Sequence, residues 1–240
     1  MYKEDYNFTT PFDQTIIWRY MDFLKLTDLL LSEELFFCRS DNFEDSYEGF
    51  LNLKDICKTQ KETYNNARKF YFINCWHQND FQSDAMWKIY LKSNNGVAIK
   101  SSVSNLKKAL KNTPEDIHIA KVYYRDFDNL SFLDLMLEDQ NRFQDAPGGT
   151  VNQFTYKRLP FEHEKELRLI YIDLPIPYRY DENSDRKLLP YKKVKINILD
   201  LIDEIIISPY ADSWFNSLVE NLLHKLNLDI KVIKSNLYER

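Results

Sequence analysis

The stretch Phe161-Glu-His-Glu-Lys-Glu-Leu-Arg168 leads straight into the apolar run Leu169-Ile-Tyr-Ile172. The apolar run predicts a buried β-strand, because short apolar runs rich in β-branched and aromatic residues lie inside sheets. The charged residues at its entrance are therefore expected at a rim of the protein and not on a tail. Charges are costly to desolvate unless they are paired, so this cluster is either an ion-pair network or a functional site.

The alternation of side chains along a strand groups the charged residues of this cluster. If the strand extends back through the cluster, Glu162, Glu164, Glu166 and Arg168 share one face, while His163 takes the other. Neighbouring carboxylates raise the pKa of one of them or recruit a cation, here Arg168. Glu166 and Glu164 are therefore the candidate catalytic residues, as a general base or a grip on a polar substrate. The alternative is an arginine–glutamate network that stabilises the strand entrance.

Composition limits the classes of protein to consider. The chain has 240 residues, of which 44% are apolar, and this is enough for a hydrophobic core. Glycine occurs at 4 positions, which argues against glycine-rich phosphate loops, and the net charge of -5 gives no general attraction to nucleic acid. Three widely spaced cysteines without a Cys-x-x-Cys pair argue against a zinc knuckle and favour a reducing compartment.

The sequence also bears on where the protein works. No run reaches the ~20 apolar residues of a membrane helix, and the polar N-terminus lacks the apolar segment of a signal peptide. We therefore expect a cytoplasmic protein with no membrane partner.

The order of the predicted elements indicates an α+β fold. Strands are predicted over residues 15–20, 34–38, 70–76, 97–100, 117–124, 168–174, 192–198, 205–208 and 228–233. Helices are predicted over residues 23–30, 53–70, 84–92, 104–111, 131–143 and 211–226, with Asp22 and Ser83 as N-caps. No βαβ unit repeats, so we expect one domain over residues 1–240 with a mixed or largely antiparallel central sheet flanked by helices. Residues 147–149 and 175–186 are the predicted turn and long loop.

Two groups of residues are candidates for binding. Arg19 lies between Trp18 and Tyr20 on the first strand, and its planar guanidinium suits a bidentate grip on phosphate or carboxylate. The alternative is a surface arginine beside core aromatics. The second group provides rings that can stack on a flat ligand such as nicotinamide or a base, and it comprises Trp76, His77, Trp87 and Tyr90. The alternative is that these rings belong to the core, where we also place Cys75.

An acidic loop supports a different hypothesis, a metal-dependent nuclease or phosphoesterase. Its carboxylates could bind a hard cation together with the later glutamates, through Glu44, Asp45, Glu48, Glu164 and Glu166. The spacing does not match an EF-hand, and helix capping by Asp45 or Ser46 is the simpler role. We therefore expect no bound metal.

Several short motifs occur in the order found in a widespread bacterial family of unknown function, which the chain resembles over nearly its whole length. They are Trp18-Arg19-Tyr20, Leu35-Phe-Phe, Asn42-Phe-Glu-Asp45 with Glu48, Cys75-Trp-His77, Met86-Trp87-x-x-Tyr90, Gly96-Val-Ala-Ile99, Glu164-x-Glu166-x-Arg168, and Ile207-Ser-Pro209 with Ala211. This resemblance implies no established activity.

The chain also resembles the ADP-ribosyltransferases, including toxin and phage-defence forms, in the order of its motifs. A cation beside an aromatic residue comes first, aromatic residues that could form a wall follow, and a glutamate at the edge of a late strand comes last. The resemblance implies that Arg19 and Tyr20 hold NAD and that Trp87 or Tyr90 flanks the nicotinamide. It implies that Glu164 or Glu166 binds the ribose 2′-hydroxyl and favours an oxocarbenium-like transition state. The chain departs from the family at Asn74-Cys-Trp76, where a Ser-Thr-Ser segment would stand.

The leading hypothesis is thus an NAD-cleaving enzyme of the ADP-ribosyltransferase type, which modifies a protein or nucleic acid in phage defence or as a toxin. Besides the metal-dependent nuclease, a third hypothesis is a non-enzymatic sensor that recognises a phage protein or a nucleotide through the aromatic residues. The sequence predicts neither the target nor the oligomeric state.

Overall fold

Strands and helices alternate irregularly along the chain, as predicted for an α+β fold. The computed structural model describes residues 1–5, 7–45, 49, 55–142, 152–174 and 189–238. The strands are β1 (Ile16–Asp22), β2 (Glu34–Arg39), β3 (Tyr71–Gln78), β4 (Gly96–Ser102), β5 (Ile117–Lys121), β6 (Tyr123–Arg125), β7 (Tyr156–Arg158), β8 (Glu166–Ile172), β9 (Tyr191–Lys195), β10 (Glu204–Ile207) and β11 (Lys231–Lys234). The helices are α1 (Phe23–Ser32), α2 (Lys58–Ala67), α3 (Asp84–Tyr90), α4 (Val103–Ala109), α5 (Phe132–Arg142), α6 (Ile198–Leu201) and α7 (Ser213–Lys225).

Within the described residues, nine strands form the main sheet. Seven of them follow the order β11-β10-β4-β1-β3-β2-β9, and β8 and β5 extend the sheet from β3. Its pairs are antiparallel except β10 and β11, which run parallel. Strands β6 and β7 form a separate parallel pair. The predicted mixed, largely antiparallel sheet with flanking helices is therefore confirmed.

The main sheet forks at β3. One edge of β3 pairs with β8 along residues 71–77. The other edge is shared, because β2 pairs with the first half of β3 and β1 pairs with its end at Ile17 and Trp18. Strand β1 leaves β3 after Trp18, so Arg19 is the first residue beyond the point where the two strands separate.

The N-caps predicted for two helices are confirmed. The Asp22 side chain accepts a hydrogen bond of 2.9 Å from the backbone N–H of Lys25, at the start of α1. The Ser83 hydroxyl accepts one of 3.4 Å from the N–H of Met86, at the start of α3. Each bond satisfies an N–H group that has no partner within its helix. The second cap matters for the site, since α3 carries two of the predicted binding residues.

Hydrophobic clusters lie on both faces of the main sheet. On one face, residues such as Trp76, Leu167 and Leu169 pack with α1, α4, α6 and α7. The other face carries two separate clusters. In the first, Met86 and Trp87 of α3 pack against Trp18 and Tyr20 of β1. Phe8, Ile73, Phe154 and Ile170 form the second. Polar side chains of β3 and β8 lie between these two clusters, and they include His77, Glu166 and Arg168.

The strand predicted through the charged cluster is wrong before Glu166. Residues Leu159–Glu164 form a 3₁₀ helix, and Lys165 adopts a left-handed conformation with φ 41° before β8 begins. Glu164 therefore approaches Glu166 through a turn and not by alternation along a strand. A lysine in this conformation is uncommon, because its Cβ crowds the backbone.

Other element boundaries also differ from the predictions. The strand predicted over 117–124 divides at Val122, so that β5 joins the main sheet and β6 the small one. The strand predicted over 192–198 ends at Lys195, because the Asn197 side chain caps α6 by accepting hydrogen bonds from two backbone N–H groups. Helix α2 begins at Lys58, not at 53. The predicted turn at 147–149 and loop at 175–186 lie outside the described residues.

None of the helices in the described ranges has both the length and the apolar composition that a membrane crossing requires.

Candidate active site at the entrance of strand β8

Glu166, the first residue of β8, is a buried carboxylate held by two cations. Its Oε2 accepts a hydrogen bond of 2.7 Å from Nε of Arg168 and lies 2.6 Å from Nη2 of the same side chain. Its Oε1 accepts a hydrogen bond of 2.9 Å from Nζ of Lys157. Burial opposes ionisation, but the charges of Arg168 and Lys157 outweigh it and hold the pKa of Glu166 far below its usual range. Glu166 is therefore an anion at neutral pH.

Glu164 lies beside Glu166 and has the opposite shift in pKa. Its side chain is 11% exposed, and its Oε2 lies 2.5 Å from Nζ of Lys157. Burial, a hydrogen bond to Glu166 and the charge of Glu166 together raise the pKa of Glu164 to about 7. Of the two carboxyl groups, Glu164 is thus the one that exchanges a proton near neutral pH.

The cations and the backbone around Glu166 fix its position. The guanidinium of Arg168 is fully buried, and its Nη1 donates a hydrogen bond of 2.9 Å to the carbonyl of Phe154. The backbone N–H of Glu166 donates to the hydroxyl of Tyr124 at 2.8 Å. Arg168 is therefore out of reach of a ligand in this conformation, and its role is to hold Glu166 ionised.

His77 of β3 lies opposite Glu166 of β8 in the sheet, and its ring forms a hydrogen bond with the backbone of Glu164. Its Nδ1 lies 2.6 Å from the carbonyl oxygen of Glu164. Because a carbonyl only accepts hydrogen bonds, Nδ1 carries the proton, and burial lowers the pKa of the ring so that it stays neutral. Nε2 is then an acceptor, and it is buried without a hydrogen-bond partner among the described residues.

Arg19 lies where β1 separates from β3, and one nitrogen of its guanidinium has no hydrogen-bond partner among the described residues. Its guanidinium carbon is 5.8 Å from the centre of the Trp76 ring, and its buried Nη1 has no hydrogen-bond partner in the described part of the chain. Burial lowers the pKa of Arg19 to about 10, against the opposing influence of Cys75 and Tyr90, so the group stays charged at neutral pH. Within the described residues, no hydrogen bond joins Arg19 to either glutamate.

Tyr90, the last residue of α3, is the predicted ring that reaches the surface of the site. The residue is 38% exposed. Burial of its hydroxyl raises the pKa of Tyr90 well above the usual range, and the neighbouring Glu166, Cys75 and Glu164 add to this effect. Tyr90 is therefore near enough to the carboxyl pair to respond to its charge, and part of the residue is open to solvent.

The other three predicted aromatic residues are buried. The Tyr20 hydroxyl accepts a hydrogen bond of 2.8 Å from the N–H of Ser83, and its ring centre lies 4.9 Å from that of Trp87. Trp87 is fully buried, and Trp76 donates a hydrogen bond of 2.8 Å to the side chain of Asn74 inside the larger core. In this conformation these rings support the walls of the site and do not line its surface.

The structure thus brings five of the predicted residues together, namely Glu164, Glu166, Arg168, His77 and Tyr90. Arg19 lies at the margin of this group. The sequence analysis missed Lys157 and Tyr124. Cys75, which it placed in the core, is half-buried and packs against a core cluster that contains Ile73 and Ile170. Lys157 belongs to a three-residue strand with no distinctive pattern. The signal that could have revealed it is charge balance, because two buried glutamates need more than one cation.

Three of the acids proposed as metal ligands, Asp45, Glu164 and Glu166, have cationic side chains as partners. In the described residues, no group of three or more His, Cys, Asp or Glu side chains is arranged to hold a metal ion. Both carboxylate oxygens of Asp45 accept hydrogen bonds from Nη2 of Arg158, at 3.0 and 3.1 Å. A cation at Glu164 and Glu166 would have to compete with Lys157 and Arg168. Glu48 lies outside the described residues.

The raised pKa of Glu164 makes stability depend on pH in a defined direction. A carboxyl group with a folded pKa near 7 and an unfolded pKa near 4.5 stabilises the fold below the unfolded value and loses this contribution as pH rises through 7. After allowing for solvent screening, we expect wild type to lose about 1 kcal/mol relative to Glu164→Gln between pH 5 and 8.5, or about 2–4 °C in Tm. Melting curves of both proteins at both pH values test this. Parallel pH profiles would contradict it.

Comparisons with known proteins show what the chain is similar to. The model of a family described as a protein of unknown function, DUF2971, matches residues 86–169, about a third of the chain. No curated protein matches the sequence. A solved structure, that of Thermus sp. 2.9 DarT in complex with NAD+, aligns with 95% of this chain and 98% of its own, at 12% identity and a TM-score of 0.40. The predicted resemblance to a family of unknown function is therefore confirmed over residues 86–169.

Proposed function

We propose that this protein cleaves NAD and transfers the ADP-ribosyl group to a macromolecule, with Glu164 as the carboxyl group at the reaction centre. The observation that carries the proposal is the carboxyl pair at the entrance of β8. Glu166 is kept ionised by Lys157 and Arg168, whereas Glu164 has a pKa of about 7 and is the less buried of the two. Enzymes that use two carboxyl groups in different roles set their pKa values apart in this manner.

The chemistry suits a carboxylate that can also take up a proton. In the reaction, the bond between the ribose C1′ and the nicotinamide nitrogen breaks, its electron pair leaves with neutral nicotinamide, and the acceptor forms a new bond to C1′. Ionised Glu164 would stabilise the positive charge that develops on the ribose, and it would accept the proton that the acceptor loses. The hydrogen bond from His77 to the backbone of Glu164 would hold the carboxylate in place.

Two further residues fit the rest of the substrate. The unpaired Nη1 of Arg19 is a buried donor, and a pyrophosphate oxygen would satisfy it with a charge-assisted hydrogen bond. The exposed part of the Tyr90 ring provides a surface against which the nicotinamide can pack. Trp87 and Tyr20 would act from behind this surface, by fixing the position of α3 on the sheet.

The target of the transfer is a protein or a nucleic acid in this proposal. The resemblance in motif order to toxin and phage-defence enzymes supports a role in such a system. A net charge of -5 argues that a nucleic-acid target would be held by local contacts and not by the overall field of the protein.

Incubating the purified protein with NAD tests the proposal. We expect free nicotinamide to be released by wild type, and Arg19→Lys to raise the KM for NAD about tenfold, because a lysine loses the bidentate geometry of a guanidinium. Arg39→Lys is the matched control, since Arg39 is paired with Asp41 away from the site, and it should leave KM unchanged. Liquid chromatography of nicotinamide gives the rates. If wild type neither binds nor cleaves NAD, the proposal is wrong.

A further inference from the structure

The N-terminal residue of α3, Asp84, is held by two tyrosines that are distant in sequence. Its Oδ1 accepts a hydrogen bond of 2.5 Å from the hydroxyl of Tyr210 and a further one from the hydroxyl of Tyr238. Its Oδ2 accepts a hydrogen bond of 2.6 Å from Nζ of Lys88 within the same helix. The two tyrosine hydroxyls lie 2.9 Å apart. One carboxylate thus connects three segments of the chain.

The segment that carries Tyr238 is itself fixed to the sheet and to the start of α3. The backbone N–H of Ser235 donates a hydrogen bond of 2.9 Å to the carbonyl of Ile207 in β10. The buried hydroxyl of Ser235 lies 2.6 Å from Oε1 of Gln82, two residues before α3. Leu237 packs against the cluster that contains Tyr20 and Trp87. Residues 235–238 are therefore anchored to β10 at one end and contact the start of α3 through Gln82 and Asp84.

Helix α3 transmits this anchoring to the site. Asp84 is its first residue and Tyr90 its last, and the fully buried Met86 and Trp87 between them hold the helix against the sheet. In the described part of the chain, no hydrogen bond holds the hydroxyl of Tyr90 directly. The position of Tyr90 is therefore set by the helix, and the helix is fixed at its other end by Asp84.

We propose that Asp84, Tyr210 and Tyr238 are positioning residues, which form a latch at the start of α3 that fixes the far end of this helix, and with it Tyr90, beside the candidate site. The latch rests on the proposed function only in so far as Tyr90 forms a wall of the substrate site. Hydrogen bonds from Lys88, Tyr210 and Tyr238 lower the pKa of Asp84 to about 2, so the carboxylate that receives them is ionised throughout the physiological range. The latch is therefore closed at any pH at which the enzyme would work.

The rate at which the Cys75 thiol is alkylated measures how often the latch opens, and this measurement does not require enzyme activity. It lies close enough to Tyr90 to influence the pKa of the phenol, and it is half-buried. In a background of Cys38→Ser and Cys57→Ser, we expect Tyr238→Phe to speed alkylation of Cys75 by iodoacetamide about tenfold, because a lost hydrogen bond to a charged acceptor makes local opening more frequent. We expect Asp84→Ala to have a larger effect.

The control is Tyr191→Phe in the same background. Tyr191 is an exposed tyrosine that stacks on Phe36 at the far edge of the sheet, and its replacement should leave the alkylation rate unchanged. If Asp84→Ala does not fold, Tyr238→Phe decides the question alone. An alkylation rate in Tyr238→Phe equal to that of the Cys75 background would overturn the proposal.

A kinetic measurement separates the latch from the proposed function. If wild type cleaves NAD, the latch variants should raise KM more than they lower kcat, since they displace a wall of the site and not the reacting carboxyl group. If wild type does not cleave NAD, the proposed function fails, while the alkylation rates still support or overturn the latch.

Discussion

Glu164→Gln should lower kcat for NAD cleavage at least ~100-fold and leave the protein folded, because a neutral amide neither stabilises developing positive charge nor accepts a proton. The side chain is nearly isosteric, and it can still accept a hydrogen bond from Lys157. The wild-type rate should rise with pH through about 7, as Glu164 loses its proton. In Glu164→Gln the remaining rate should lack this step. Nicotinamide release measured between pH 5.5 and 8.5 gives both results.

The matched control for this prediction is Glu162→Gln. Glu162 belongs to the same 3₁₀ helix and is exposed, so its replacement makes the same change of side chain without touching the carboxyl pair. Its rate and pH profile should equal those of wild type. Nicotinamide release by Glu164→Gln at the wild-type rate would remove Glu164 from the reaction centre.

Glu166→Gln should destabilise the protein by about 3–5 kcal/mol, because it removes the buried anion that accepts hydrogen bonds from Arg168 and Lys157 and leaves Lys157 with Glu164 as its carboxyl partner. The side chains of Lys157 and Arg168 are almost inaccessible, at 9% and 1% exposure. Urea unfolding followed by tryptophan fluorescence measures the loss as a lower midpoint, and Glu162→Gln should stay within about 0.5 kcal/mol of wild type.

The pair of variants distinguishes a structural glutamate from a reacting one. We expect Glu166→Gln to lose activity in proportion to its unfolded fraction, and Glu164→Gln to lose activity while folded. The reverse pattern, in which Glu166→Gln is as stable as wild type and inactive, would assign the reaction to Glu166. Such a result would also mean that Arg168 and Lys157 do not depend on Glu166 for their burial.

Local patterns in the sequence predicted the parts of the fold that local physics determines. The apolar runs predict β3 and β8, and the side chains of Asp22 and Ser83 predict the starts of α1 and α3. The turn at Lys165 escaped prediction, because a left-handed lysine has no sequence signal of its own. It is stabilised by the surrounding contacts of Glu164 and Glu166, which local patterns do not contain.

The sequence predicted both acids of the candidate site and one of their two cations, Arg168, but it predicted neither Lys157 nor the burial of the site. The spacing of Glu164, Glu166 and Arg168 indicated a coupled carboxyl pair, and the structure shows one. The alternation of side chains along β1 predicted that Arg19 and Tyr20 lie on opposite faces of the strand. It could not show that the pairing of β1 with β3 ends at Trp18, just before Arg19. Whether Trp87 lines a pocket or fills a core depends on how α3 packs, which is a tertiary property.

The pairing of β3 with β8 also has a consequence during synthesis of the chain. It joins residues about 90 to 100 positions apart, so His77 meets Glu166 only after a long loop has closed. Such distant pairing forms slowly, and a ribosome-bound chain that ends before β8 lacks Glu166 and Arg168 and leaves this edge of β3 unpaired with β8. The carboxyl pair and the cation that holds Glu166 therefore come together only after most of the chain has been translated.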